Sequence, residues 1–297
     1  MGGQLMPEFV TIHEVGPRDG LQNEPGVISV ADKVALIRAL GDAGLRQIEV
    51  GSFVSPKWVP QMANTAEVMA DVAATKGGQF DVLVPNMRGW DGFEAATKSG
   101  PYGIAVFISA SEGFSQANLN CSIAESISRL KPVVGAAQAA KLPVRGYISC
   151  VTDCPFDGPV PPSAVLAAAQ ALRDVAPMPL SLGDTIGKGT PKTVEAMLTE
   201  VLKEVPVNHL AGHFHDTDGR ALQNIDVALA MGLRAFDSAV GGLGGCPYAP
   251  GAPGNVATEA VIAHLHGTGY VTSVDPERLR HAGYLAQAIK RNAREPS

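Results

Sequence analysis

Residues 209–231, HLAGHFHDTDGRALQNIDVALAM, carry the pattern that decides the fold. The first seven form a short, largely apolar run that reads as a strand, and residues 221–231 are striped with apolar side chains at helical spacing. A short strand followed by an amphipathic helix is a βα unit, the building block of a parallel sheet. Further strand candidates lie at residues 9–15, 47–51, 80–85, 103–110, 144–151, 179–183 and 235–240, so the unit occurs eight times. In residues 29–43, Val30, Val34, Ile37 and Leu40 recur at three- and four-residue steps behind Ser29 as candidate N-cap. Thr190-Pro191 opens another helix with proline in its first turn, and residues 257–266 are a further apolar-striped segment. Eight repeats without a linker predict a single α/β unit over residues 1–297, a (β/α)8 TIM barrel with a short C-terminal helical extension. A doubly wound open sheet gives the same local pattern and is the alternative.

Composition narrows the function classes. The 297 residues are 45% hydrophobic and 18% charged, which excludes disordered and fibrous chains. The 33 glycines and 22 prolines follow no Gly-X-Y period and imply many turns. Lys and Arg total 23 against 29 Asp and Glu, a net charge of −6 with no basic cluster, so neither nucleic acid nor an anionic membrane is an expected partner. No apolar run reaches the roughly 18 residues that a membrane-spanning helix needs. The opening MGGQLM lacks the order of a secretory signal, and four cysteines are too few for a disulfide scaffold. A reducing, cytoplasmic setting is expected.

A barrel of this kind does its chemistry where strands end. After the first strand comes VGPRDGLQNE, residues 15–24. It reads either as a solvated turn in which Arg18 pairs with Asp19, or as a metal carboxylate beside an oxyanion-stabilising guanidinium. Glu49 sits between Ile48 and Val50, where a carboxylate is costly unless paired or coordinated. Lys57 and Trp58 in the following loop could meet a phosphate or an adenine, or simply pack. Asp184 ends the sixth strand, as cap or as site carboxylate.

The seventh strand bears His213 and His215, whose alternation sends both imidazoles to one side and Phe214 to the other. Residues 241–254 contain nine Gly or Pro among fourteen, with Cys246 as a single thiol. No helix or strand is expected there, and the stretch reads as a mobile active-site loop or as a plain linker. Asp19, His213, His215 and Asn255 together offer oxygen and nitrogen donors without thiolate, a set that favours Mg²⁺ or Mn²⁺ over zinc. Cys150 and Cys154 lack a second ligand pair and read as buried thiols, while His13, His264, His266 and His281 read as structural.

Several segments together resemble the 3-hydroxy-3-methylglutaryl-CoA (HMG-CoA) lyases, within the TIM-barrel metallolyases that include Claisen-type acyl synthases. They are EVGPRDGLQNE (14–24), SFVSPKWVPQM (52–62), NCS (120–122), RGY (145–147), SLGDTIG (181–187), HFHDT (213–217) and GLGGCPYAPGAPGNVATE (242–259). The resemblance implies that Asp19, His213, His215 and Asn255 hold a divalent cation and that Arg18 stabilises the enolate of the departing thioester. It implies Glu49, Asp184 and Glu259 as site carboxylates, Cys246 as the thiol that helps reprotonate the acetyl-CoA carbanion, and Gln22 and Lys57 beside Arg18 as substrate contacts. Either Asp19 or His213 would take the C3 hydroxyl proton. Val50-Gly51, Phe214, Asp218 and Pro253 depart from the animal enzymes, which leaves the C3 substituent open more than the reaction type.

The implied reaction is cleavage of HMG-CoA to acetyl-CoA and acetoacetate by a homodimer, with leucine breakdown as the usual setting. Three alternatives stand beside it. One is a sister lyase taking citramalyl-CoA or an isoprenoid-derived glutaryl-CoA; the others are a synthase and a silent barrel.

Overall fold

The computed structural model describes residues 7–75, 78–97, 100–246 and 249–293, and within 245–246 and 249–253 the backbone alone. Eight strands run parallel around a closed barrel: Thr11–Glu14, Gln47–Ser52, Gln79–Leu83, Tyr102–Ser109, Val144–Ser149, Leu180–Asp184, Leu210–Phe214 and Ala235–Ser238. The eighth pairs with the first in register from Thr11 opposite Ala235 to Glu14 opposite Ser238, which closes the barrel and rules out the doubly wound open sheet.

The helices follow from local chemistry. Helix α1 (Val30–Asp42) begins where the Ser29 side chain accepts the Asp32 N–H, and its buried face includes Val34, Ile37 and Leu40. Around the barrel follow α2 (Thr65–Val72), α3 (Met87–Ala96), α4 (Glu112–Leu119), α5 (Ile123–Ala139), α6 (Pro162–Val175), α7 (Pro191–Val201), α8 (Ala221–Ala230) and α9 (Thr258–Gly267). Outward-facing strand residues such as Ile48, Val82, Ile104, Val106 and Phe214 join these helices in one core. The C-terminal extension is α10 (Pro276–Asn292), a 17-residue helix that reaches across α1, where the Arg278 guanidinium donates to the Asp42 carbonyl.

Three expectations change. The turn after the first strand is no open loop but a π-helical turn, Gly16–Gly20, continued by a 3-10 turn, Leu21–Asn23. His209 belongs to a 3-10 turn before the seventh strand, and His215 lies just beyond it in a bridge to Asn255. The Gly/Pro-rich stretch does hold strand structure: Gly245–Cys246 pairs antiparallel with Ala249–Pro253. Proline is tolerated there because a two-stranded ribbon leaves one side of each strand unpaired. Among the described residues, no helix is long and apolar enough to cross a membrane.

One glycine of the second strand is dictated by packing. A Cβ on Gly51 would stand 2.6 Å from Thr65 Cγ2. The ladder shifts register between Glu49 and Gly51, so the strand bulges just past its buried carboxylate.

Candidate functional site

The strand-end residues converge inside the C-terminal mouth. Phe214 is buried in the outer core, so His213 and His215 turn inward from either side of it, with ring centroids 5.3 Å apart. Asp19 arrives from the first strand because the Val15 carbonyl accepts the backbone N–H groups of Arg18, Asp19 and Gly20 at 3.1, 2.7 and 3.3 Å. That tight coil aims two successive side chains at one spot. Asp19, His213 and His215 each present a ligand atom, all within 4.8 Å of one another. Asn255 donates its amide N–H to Asp19 Oδ2 at 2.8 Å.

These residues fit a divalent cation. Among the described residues His215 Nδ1 is buried without a hydrogen-bond partner, a costly state that an electron-pair acceptor would relieve. The donors are hard oxygen and imidazole nitrogen, suited to Mg²⁺ or Mn²⁺.

Around this cluster runs a closed polar circuit. Arg18 is bonded through Nε to Glu49 Oε2 at 2.8 Å and through Nη1 to Asp19 Oδ1 at 2.7 Å, where Gln22 also donates at 2.8 Å. Arg18 therefore pairs with Asp19 as the turn reading expected, but in a buried rather than a solvated place, and the pair sits beside the cluster. Glu49 Oε2 also accepts the Tyr147 hydroxyl at 3.1 Å, and the Tyr147 hydroxyl oxygen accepts from Arg145 Nη1 at 2.9 Å. Arg145 continues to Asp237 Oδ1 at 2.5 Å, and Asp237 Oδ2 accepts Ser181 at 2.7 Å and meets His213 Nδ1 at 3.0 Å.

Electrostatics follow from this wiring. Burial alone would raise Asp19, yet Arg18 and the two imidazoles hold its carboxyl down at about 2. Burial would lower His213, but Asp237 reverses that and raises it. His215 has no such carboxylate behind it, and burial with the neighbouring His213 lowers it to about 4. Burial pushes Glu49 up against the opposing pull of Arg18.

Other expected site residues lie elsewhere. Asp184 is buried but outside the ligand cluster; it accepts Thr152 Oγ1 and the Gly189 N–H, each at 2.8 Å, and so fixes the sixth-strand loop. Glu259 receives the Gly241 N–H at the root of the glycine-rich loop. Lys57 is exposed on the rim beside Trp58, which is 87% exposed. The Cys246 side chain lies outside the described residues. Asp218, where the pattern departs, pairs with Lys188 and Arg220 near the surface.

Sequence reasoning left several participants without a role. Arg145, Tyr147, Ser181 and Asp237 complete the circuit, and His13 lies inside the barrel beside Asp81 rather than in the outer core. Glu14 is buried and accepts the Gly16 and Val240 N–H groups and the Thr258 hydroxyl, tying the first-strand loop to the last. The signal that singled out Glu49, a charge inside an apolar strand, is equally present at Asp81 and Asp237.

Comparison with known proteins agrees with this geometry. The HMGL-like family model matches residues 9–285. The hydroxymethylglutaryl-CoA lyase of Pseudomonas mevalonii is 52% identical over 281 residues, 95% of this chain and 92% of that protein. A Pseudomonas aeruginosa protein described as a 3-hydroxy-3-isohexenylglutaryl-CoA/hydroxy-methylglutaryl-CoA lyase is 53% identical over 284 residues, 96% of this chain and 94% of that one. The crystal structure of the HMG-CoA lyase from Brucella melitensis superposes with a TM-score of 0.93 at 56% identity, covering 96% of this chain and 99% of that one.

Proposed function

The chain belongs to the HMGL-like family, and from that membership we propose that it is a divalent-metal-dependent carbon–carbon lyase cleaving HMG-CoA to acetyl-CoA and acetoacetate. The observation that carries the proposal is the Asp19, His213 and His215 cluster with Arg18 locked beside it. Those three residues, with Asn255, would hold Mg²⁺ or Mn²⁺. When bound, the cation supplies a Lewis acid that orients the oxygen-rich end of the substrate and lowers the pKa of its hydroxyl.

The chain's own residues supply the rest. Breaking the C2–C3 bond requires loss of the C3 hydroxyl proton while negative charge grows on the thioester oxygen. Arg18 is a permanent cation because Glu49 and Asp19 stabilise it in a buried place, so it can meet that charge without reorganising. Asp237 occupies His213 Nδ1 and leaves Nε2 as the working nitrogen. Gln22 steadies Asp19, and Cys246 on the last loop is the proton donor to the acetyl-CoA carbanion. Glu259 and Asp184 act by holding their loops, and Lys57 at the rim is a contact for the acyl-CoA.

The whole chain acts as one catalytic barrel, in the cytoplasm and as a homodimer, with leucine breakdown as its setting. Purified protein supplied with Mn²⁺ and HMG-CoA should release acetoacetate. Failure to do so while citramalyl-CoA or an isohexenyl analogue is cleaved would transfer the assignment to a sister lyase, a reading favoured by the dual description of the Pseudomonas aeruginosa relative.

A further inference from the structure

The inward positions of the strands divide the barrel interior into two chemically different sides. His13, Glu49, Arg145, Ser181, His213 and Asp237 make one side polar, and Asp81, one inward position before Leu83 on the third strand, reaches across to His13 below the apolar part. On the third and fourth strands, Phe80, Val82, Ile104, Val106 and Ile108 pack into the outer core, so Leu83, Ala105 and Phe107 face the other way. These three form a separate apolar cluster with the Tyr147 ring and Val54. Leu83 and Ala105 are 5% and 0% exposed, whereas Phe107 and Val54 stay half-buried, so these two supply the open surface of the cluster, an apolar wall.

Tyr147 joins the two sides. Its hydroxyl belongs to the polar circuit, its ring stands edge-on to His213 at 6.2 Å, and Arg18 Cζ lies 5.5 Å from its centroid. The apolar wall therefore begins where the candidate metal cluster ends.

Resting on the lyase reading above, we propose that this wall receives the C3 alkyl substituent of the substrate and that Phe107 sets the length accepted. The tertiary C3 carbon bears a hydroxyl, two carbonyl-bearing arms and one alkyl group. The oxygen-bearing groups are drawn to the cation site and Arg18, while the alkyl group has nothing to offer buried polar atoms and would strip their solvation. Among the described inward side chains, the cluster around Phe107 is the extended apolar surface available to it. The Phe107 ring follows fully buried Ala105 on the same face and is the large apolar side chain of the cluster that stays partly open, where a longer alkyl chain would meet it. A methyl group is therefore preferred over an isohexenyl group.

The test compares kcat/KM for HMG-CoA and for 3-hydroxy-3-isohexenylglutaryl-CoA in the wild-type chain and in Phe107→Ala and Phe107→Leu, with Mn²⁺ affinity measured alongside. Wild type should favour the methyl substrate, and Phe107→Ala should move the ratio toward the longer one on the order of 10- to 100-fold, Phe107→Leu less, with Mn²⁺ affinity unchanged. A ratio that stays within about twofold in both variants, or a wild-type preference for the longer chain, overturns the wall as the specificity element and leaves the lyase reading standing. If wild type cleaves neither substrate, the lyase reading itself falls and takes this proposal with it.

Discussion

Asp237 Oδ2 stands 3.0 Å from His213 Nδ1, at the buried end of an imidazole whose other nitrogen faces Asp19. Arg145 and Ser181 hold the carboxylate in place; burial would raise it, but the charge of Arg145 and the hydrogen bond and charge of His213 keep it far below the ordinary carboxylate range. A carboxylate behind a ligating histidine fixes ring orientation and tautomer and raises ligand basicity. Asp237→Asn should weaken Mn²⁺ binding about 10- to 100-fold, read by titration of the free ion's paramagnetic resonance signal. Unchanged affinity would mean that Asp237 serves only the packing of the barrel.

Arg18 joins two carboxylates in a place with almost no solvent, so its removal has two separable consequences. Arg18→Gln should cut turnover about 10²- to 10³-fold, as loss of a charge that stabilises a developing oxyanion does. It should also lower Tm, because Glu49 loses its buried cation and must take up a proton or remain an unpaired charge, a penalty of up to about 3 kcal/mol. Pairing it with Glu49→Gln should restore much of the Tm and none of the turnover. Recovery of activity in the double variant would show that Arg18 acts only as a structural partner.

The barrel was legible because eight short apolar runs alternate with helical stripes, and the histidine pair because period-two alternation needs no tertiary knowledge. Asp19 was legible as a candidate and undecidable as a fact. The π-helical turn that aims it has no periodicity for a sequence pattern to reveal. Arg145, Tyr147 and Asp237 stayed without a role because a strand's two faces are equivalent until closure makes one of them the inside. The strand pair at Gly245 and Ala249 was hidden by its own glycine and proline content, which argues against strands wherever both edges must be paired.

On the proposed mechanism, the last loop separates proton delivery from metal binding. Asn255 touches Asp19 directly, whereas Cys246 lies nine positions earlier in the chain. Cys246→Ala should therefore reduce turnover by about 10²-fold or more, the usual worth of a positioned acid, while Mn²⁺ affinity stays within a factor of about two. A Cys246→Ala enzyme at full turnover would remove the thiol from the mechanism.

Glu14 makes the junction of the first and last loops sensitive to pH. Its carboxyl is fully buried and pushed up to about 7, chiefly by burial, although three donors partly offset that. The unfolded chain releases this proton near 4.5, so between that pH and about 7 the folded state binds more protons than the unfolded state. Stability from this group is therefore complete at low pH and declines as pH rises through the folded value, by an amount on the order of 3 kcal/mol. Glu14→Gln retains an acceptor for the Gly16 and Val240 N–H groups and has no proton to lose. The Tm of the wild-type chain relative to Glu14→Gln should fall as pH is raised from about 4.5 to 7.5 and level off above that range. Parallel Tm curves would mean that Glu14 keeps one charge state throughout.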